Sequence, residues 1–152
     1  MRLEKLSALA ELVSSVAIVM TLAYLAVQTQ QTNSALFSNS RAALMSSDIT
    51  LLTTWASDPE LALLSDGGNP KEMTAAQLAQ QQMLTVALFR VREYAWFQHQ
   101  NGLLDDQAWN GYLTPLVRMI REEEMQQRFW QQFSPELDED FVRFVNERAN
   151  AP

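Results

Sequence analysis

The chain has 152 residues, 47% of them apolar, with 11 Lys and Arg against 18 Asp and Glu, a net charge of −7 and no cysteine. Without cysteine there are no disulfides, thiolate metal sites or cysteine nucleophiles. The basic residues are scattered in an acidic chain, which argues against a nucleic-acid partner.

Only 4 Gly and 5 Pro interrupt a sequence rich in Ala, Leu, Gln and Glu. Such composition predicts an all-α fold. The expected organisation is an anchor helix over residues 1–30 and a helical bundle over residues 31–152, the soluble part holding about 100 residues and a modest core.

The first element is the uncharged run LVSSVAIVMTLAYLAV from Leu12 to Val27. A helix from Leu6 to Val27, rising 1.5 Å per residue, just crosses a hydrocarbon core of about 30 Å. The expectation is a single-pass transmembrane helix, with membrane lipid as a partner. A cleaved leader would need a small-x-small site after the run, and Ala23-Tyr24-Leu25-Ala26 is poorly spaced for one. A buried core helix in a soluble bundle is the other alternative.

At heptad spacing, Ser7, Ala10, Ser14, Ala17, Thr21, Tyr24, Gln28 and Gln31 fall on one stripe of this helix. Small and hydroxyl residues let helices approach closely in lipid, so the stripe reads as the seam of a homo-oligomer. The competing reading is that Ser and Thr bond back to their own helix. An oligomeric pore lined by Ser14, Thr21 and Gln28 is a further alternative. Arg2, Lys5 and the α-amine precede the span, and Arg41 is the first positive residue after it. The positive-inside rule then sets the N-terminus in the cytoplasm of a bacterial cell, the anchor in its inner membrane and the bundle in the periplasm.

The helix is expected to continue through Gln28–Ala56, which lacks Pro and Gly and has apolar residues at Leu36, Ala43, Ile49, Leu52 and Trp55. Ser57-Asp58-Pro59-Glu60 predicts a cap and a short helix, Pro59 to Leu64. Asp66-Gly67-Gly68-Asn69-Pro70 predicts a loop. Thr74 and Gln77 have capping-box spacing, opening a helix that Asn101-Gly102 should end. Its middle, Met83 to Phe97, is apolar nearly all round and predicts the central helix of the bundle. Arg90 and Glu93 are spaced to pair within it.

Asp105 or Asp106 should cap the next helix, with Trp109, Tyr112, Leu113, Leu116, Val117 and Ile120 on one face and a kink or break at Pro115. Glu122 to Glu124 open a further run with Met125, Phe129 and Trp130. Ser134-Pro135-Glu136 should start the last helix, with Phe141, Phe144 and Val145 inward.

The segments YLAVQTQQTNSAL, NGLLDDQAW and WQQFSPEL together resemble a widespread family of small bacterial proteins with no assigned activity. The resemblance covers most of the chain. It implies an N-terminal membrane helix and a helix entered through a Gly-Leu-Leu-Asp turn. Those proteins often carry Arg just after the span, where this chain has Thr29 and other neutral residues.

No catalytic, cofactor or metal site emerges. His99 is the only histidine, so a di-iron site built on two Glu-x-x-His motifs is excluded. Zinc would need carboxylates around one imidazole. There is no Gly-x-Ser-x-Gly turn and no phosphate loop. The carboxylate runs stand at helix starts, where they complement the dipole. The reading is a self-associating, non-enzymatic interaction module, with an unidentified protein as a further partner. An enzyme or ligand-binding bundle with a pocket near Tyr94, Trp96, His99 and Trp109 is the alternative from another class.

Overall fold

The computed structural model describes residues 2–59 and 73–151, which are almost all helical and contain no strand. The loop expected at Asp66–Pro70, and the helix expected at Pro59–Leu64 apart from its first residue, lie outside the described residues. Five α-helices follow in order: α1 Arg2–Ala56, α2 Ala75–Gln100, α3 Asp106–Glu122, α4 Glu124–Phe133 and α5 Glu139–Asn150. A 3-10 turn, Ser134–Glu136, joins the last two. The chain divides into two units, 1–39 and 40–152.

The ends of α2 follow from local chemistry. The Thr74 hydroxyl accepts from the Gln77 N–H, and the Gln77 side chain accepts from the Thr74 N–H at 2.8 Å. At the other end the Leu103 N–H reaches the Gln98 carbonyl at 2.8 Å and the Gly102 N–H reaches the His99 carbonyl at 2.9 Å. This Schellman pattern needs a left-handed residue, and Gly102 supplies it at φ +68.

Asp105, not Asp106, caps α3, accepting from the Ala108 N–H at 2.8 Å. No break occurs at Pro115; α3 runs through it to Glu122. Nor does Ser134 open the last helix. Its Pro-containing segment makes one 3-10 turn, and Asp138 caps α5 by accepting from Asp140 and Phe141. The C-terminal end of α5 is held from outside, since the Arg121 guanidinium donates to the carbonyls of Arg148, Ala149 and Ala151.

In the unit from Ser40 onward the core forms on α3, whose Trp109, Leu113, Leu116 and Ile120 are buried at helical spacing. Phe89 from α2 meets Trp130 edge to face at 5.1 Å, and Trp130 meets Phe141 the same way at 6.1 Å. The Trp130 indole N–H is satisfied by Asn146 at 2.9 Å. Such aromatic contacts add to area burial.

α2 is not buried all round. Met83, Tyr94 and Phe97 are 65%, 44% and 57% exposed. Its buried stripe is Gln81, Thr85, Phe89, Arg92, Ala95 and Gln98, more polar than its sequence neighbourhood predicts. The C-terminal part of α1 likewise buries Ser40, Leu44 and Leu51, while Ile49 and Leu52 face out.

Candidate functional site

One helix among the described residues is long and apolar enough to cross a membrane, and none of its most apolar stretch is buried in the protein. From Leu9 to Val27 the large apolar side chains are 46–67% exposed. Three of the hydroxyl side chains here bond to their own backbone. Ser15 donates to the Glu11 carbonyl, Thr21 to Ala17 and Thr29 to Leu25, each at 2.8 Å. Bonding back in this way removes the cost of an unpaired hydroxyl in an apolar surrounding. Ser7, Ala10, Ser14, Ala17, Thr21, Tyr24, Gln28 and Gln31 are all exposed on α1. The back-bond takes up the Thr21 hydroxyl proton and leaves the close approach of small side chains as what this stripe offers.

In the second unit, α1 meets α2 through paired polar groups that the sequence reading missed. The Ser40 hydroxyl donates to Gln98 at 3.0 Å, Arg92 is ion-paired with Asp48, and the Trp55 indole donates to Gln81 at 3.3 Å. The partners run in opposite chain directions, with Leu44 and Leu51 buried along the same stripe of α1. Arg92 also lies over the Tyr112 ring, 5.1 Å from its centroid. Burial, and next the Asp48 carboxylate, raise the Tyr112 phenol above its ordinary pKa, outweighing the opposite pull of Arg92 and Arg41. The signal for this seam was the recurrence of polar residues at 81, 85, 92 and 98 within an apolar helix. Hydropathy alone does not separate a buried polar stripe from a solvated one.

Arg90 and Glu93 pair at 3.0 Å as expected, and Glu93 does more. Its other carboxylate oxygen accepts from the Asp138 N–H at 2.6 Å, fixing the start of α5. The pair is therefore structural.

His99 stacks on Trp109 at 5.6 Å, and its Nε2 lies 2.9 Å from a carboxylate oxygen of Asp106. Among the described residues its side-chain partners are Trp109 and Asp106, neither a serine nor a threonine. Tyr94 and Trp96 line a hollow of about 300 Å³ with Arg90, Glu93, Phe97 and Asp138, which His99 and Trp109 do not share. The four residues expected around one pocket are thus not brought together. Among the described residues no group of three or more His, Asp or Glu side chains is placed to hold a metal.

No family model, curated protein or solved structure matches the chain.

Proposed function

We propose that the protein is a membrane-anchored, self-associating helical interaction module. The observation that carries this reading is the uncovered apolar surface of α1 from Leu9 to Val27. Soluble monomers rarely expose contiguous apolar patches above a few hundred Å². A helix apolar on every side belongs either in a protein core or in lipid, and among the described residues nothing buries its most apolar stretch. Its backbone groups are satisfied within the helix, as a lipid-exposed segment requires.

In this reading α1 lies in a bacterial inner membrane with Arg2 and Lys5 on the cytoplasmic side, and the Ser7 to Gln31 stripe joins copies side by side. The resemblance carried by YLAVQTQQTNSAL and NGLLDDQAW implies the membrane helix and not its orientation, because this chain has Thr29 and other neutral residues where those proteins often carry Arg. The bundle presents side chains to a protein partner rather than a reaction centre.

The test is alkaline carbonate extraction of membranes from cells expressing the full chain, followed by flotation with vesicles. The protein is expected to stay with lipid in both. Recovery of full-length protein in the soluble fraction without detergent overturns the reading.

A further inference from the structure

Two Asn-Gly pairs lie in the unit from Ser40 onward, Asn101-Gly102 and Asn110-Gly111. An asparagine followed by glycine can modify itself. The glycine nitrogen attacks the asparagine Cγ, the Cγ–Nδ2 bond breaks, and the nitrogen leaves as ammonia with the displaced proton. Water then opens the five-membered imide at either carbonyl and yields aspartate or isoaspartate. Nothing is oxidised or reduced: amide and water become acid and ammonia. Glycine favours the attack because it sets no side chain beside the nitrogen.

All four residues are exposed. A Cβ added at either glycine would meet no atom within 4 Å. Packing therefore shields neither pair, and the backbone decides whether the ring can close.

Closure needs the attacking nitrogen on the same side of the Cα–C bond as the asparagine Cβ. At Asn101 ψ is 7, so the Gly102 nitrogen eclipses the Asn101 nitrogen instead. Three hydrogen bonds hold it there. The Gly102 N–H donates to the His99 carbonyl at 2.9 Å and the Leu103 N–H to the Gln98 carbonyl at 2.8 Å. The Asn101 Nδ2, which would leave, donates to the Phe97 carbonyl at 2.8 Å. All three belong to the last turn of α2, and helix ends fray at far lower cost than a fold unfolds. Gly102, at φ +68, can leave the left-handed region without strain.

Asn110 and Gly111 stand inside α3 instead, between Trp109 and Leu113, which are 4% and 5% exposed. Turning ψ there breaks helical bonds on both sides and pulls those two side chains out of the core.

We propose that Asn101 is a site of spontaneous deamidation, reached by local opening of the α2 terminus, and that Asn110 is closed to the same reaction until the bundle unfolds. The product weakens the turn in which it forms. Aspartate sets a negative charge at the C-terminal end of α2, against the helix dipole, and no longer donates to Phe97. Isoaspartate adds a carbon to the main chain at residue 101, so the paired bonds of the Schellman turn cannot close as before.

The experiment ages the full chain in detergent at neutral pH across a urea series. Fragment-ion mass spectrometry follows conversion at each asparagine, and enzymatic methylation confirms isoaspartate. Without urea, Asn101 should convert several-fold faster than Asn110. Below the bundle's unfolding transition the Asn101 rate should stay nearly level while the Asn110 rate climbs with the unfolded fraction. Above the transition both should be faster, and the gap between them should close. Asn110 converting as fast as Asn101 without urea overturns the proposal. So do two rates that rise together from the first addition of urea, which would route both through global unfolding. An Asn101 rate no slower in the native bundle than in the unfolded chain shows that the turn holds nothing back, and also overturns it. Asn101→Asp should lower the bundle's thermal midpoint more than Asn110→Asp, which adds its charge near the start of a helix. Equal shifts overturn the claim that the product weakens the turn.

Discussion

Between Leu9 and Val27 the helix turns its large apolar side chains outward and ties the Ser15 and Thr21 hydroxyls to its own carbonyls. From Ser40 onward a core of large apolar residues such as Leu44, Phe89, Leu116 and Phe141 goes inward, and buried polar side chains reach other helices: Ser40 to Gln98, Asp48 to Arg92, Thr85 to Gln126. Both regions are helix, so backbone hydrogen bonding does not distinguish them. The difference lies in where each polar side chain finds its partner. A hydroxyl that bonds four residues back needs no neighbour, and such a segment can stand alone in an apolar medium. A glutamine or arginine that bonds across helices fixes which helix lies opposite and in which register.

The comparison breaks most sharply with core truncation. Phe89 is fully buried against Trp130, and Phe89→Ala should cost about 3–5 kcal/mol of bundle stability. Val19 is 66% exposed in the apolar run, and Val19→Ala should leave the same denaturant midpoint unmoved. Equal losses from the two variants would mean that the first unit is part of the folded core.

A smaller effect is expected at the polar seam. Asp48→Ala leaves Arg92 half-satisfied, since its Nε already lacks a partner, and should cost about 1–3 kcal/mol. Asp48→Leu/Arg92→Met should recover much of that loss, because replacing both members of a pair with apolar groups removes the desolvation cost together with the attraction. A double-mutant cycle in urea measures the coupling. No coupling would show that the pair does not tie α1 to α2.

The smallest effect is on pH dependence. Burial and the Asp48 charge hold the Tyr112 proton on in the folded state more firmly than in the unfolded one. The stability this contributes is fully present below the unfolded phenol's pKa of about 10 and is lost as pH rises through the folded value. Tyr112→Phe should flatten the alkaline part of the stability profile. An unchanged slope would assign the alkaline loss to other groups. Membrane association of α1 should not respond to this substitution.

Much of the secondary structure was legible because its signals are local. Thr74 and Gln77 sit three apart, Gly102 is the residue that tolerates a left-handed turn, and Asp105 stands one residue before its helix. Each acts within a single turn of backbone. The start of α5 was misread for a related reason. Ser134-Pro135-Glu136 and Asp138 both have capping chemistry, and the choice fell to Asp138, whose own N–H is held by Glu93 from α2, 45 residues away. Sequence spacing carries no information about that contact.

The sequence alone determined that the chain is helical, that its first helix carries an uncharged stretch long enough for a membrane, and that a heptad stripe runs along it. These follow from composition and period, which every residue contributes to independently of its neighbours in space. The tertiary structure decided which face of each helix is inside. It placed Gln81, Arg92 and Gln98 in the interior and Met83, Tyr94 and Phe97 outside, against their hydropathy. It could do so because a buried polar group costs little once its partner is in reach, and reach is set by the packing of distant segments. Among the described residues it also leaves Met45, Ile49 and Leu52 exposed, because α2 lies along the other stripe of α1, the one that carries Ser40, Asp48 and Trp55.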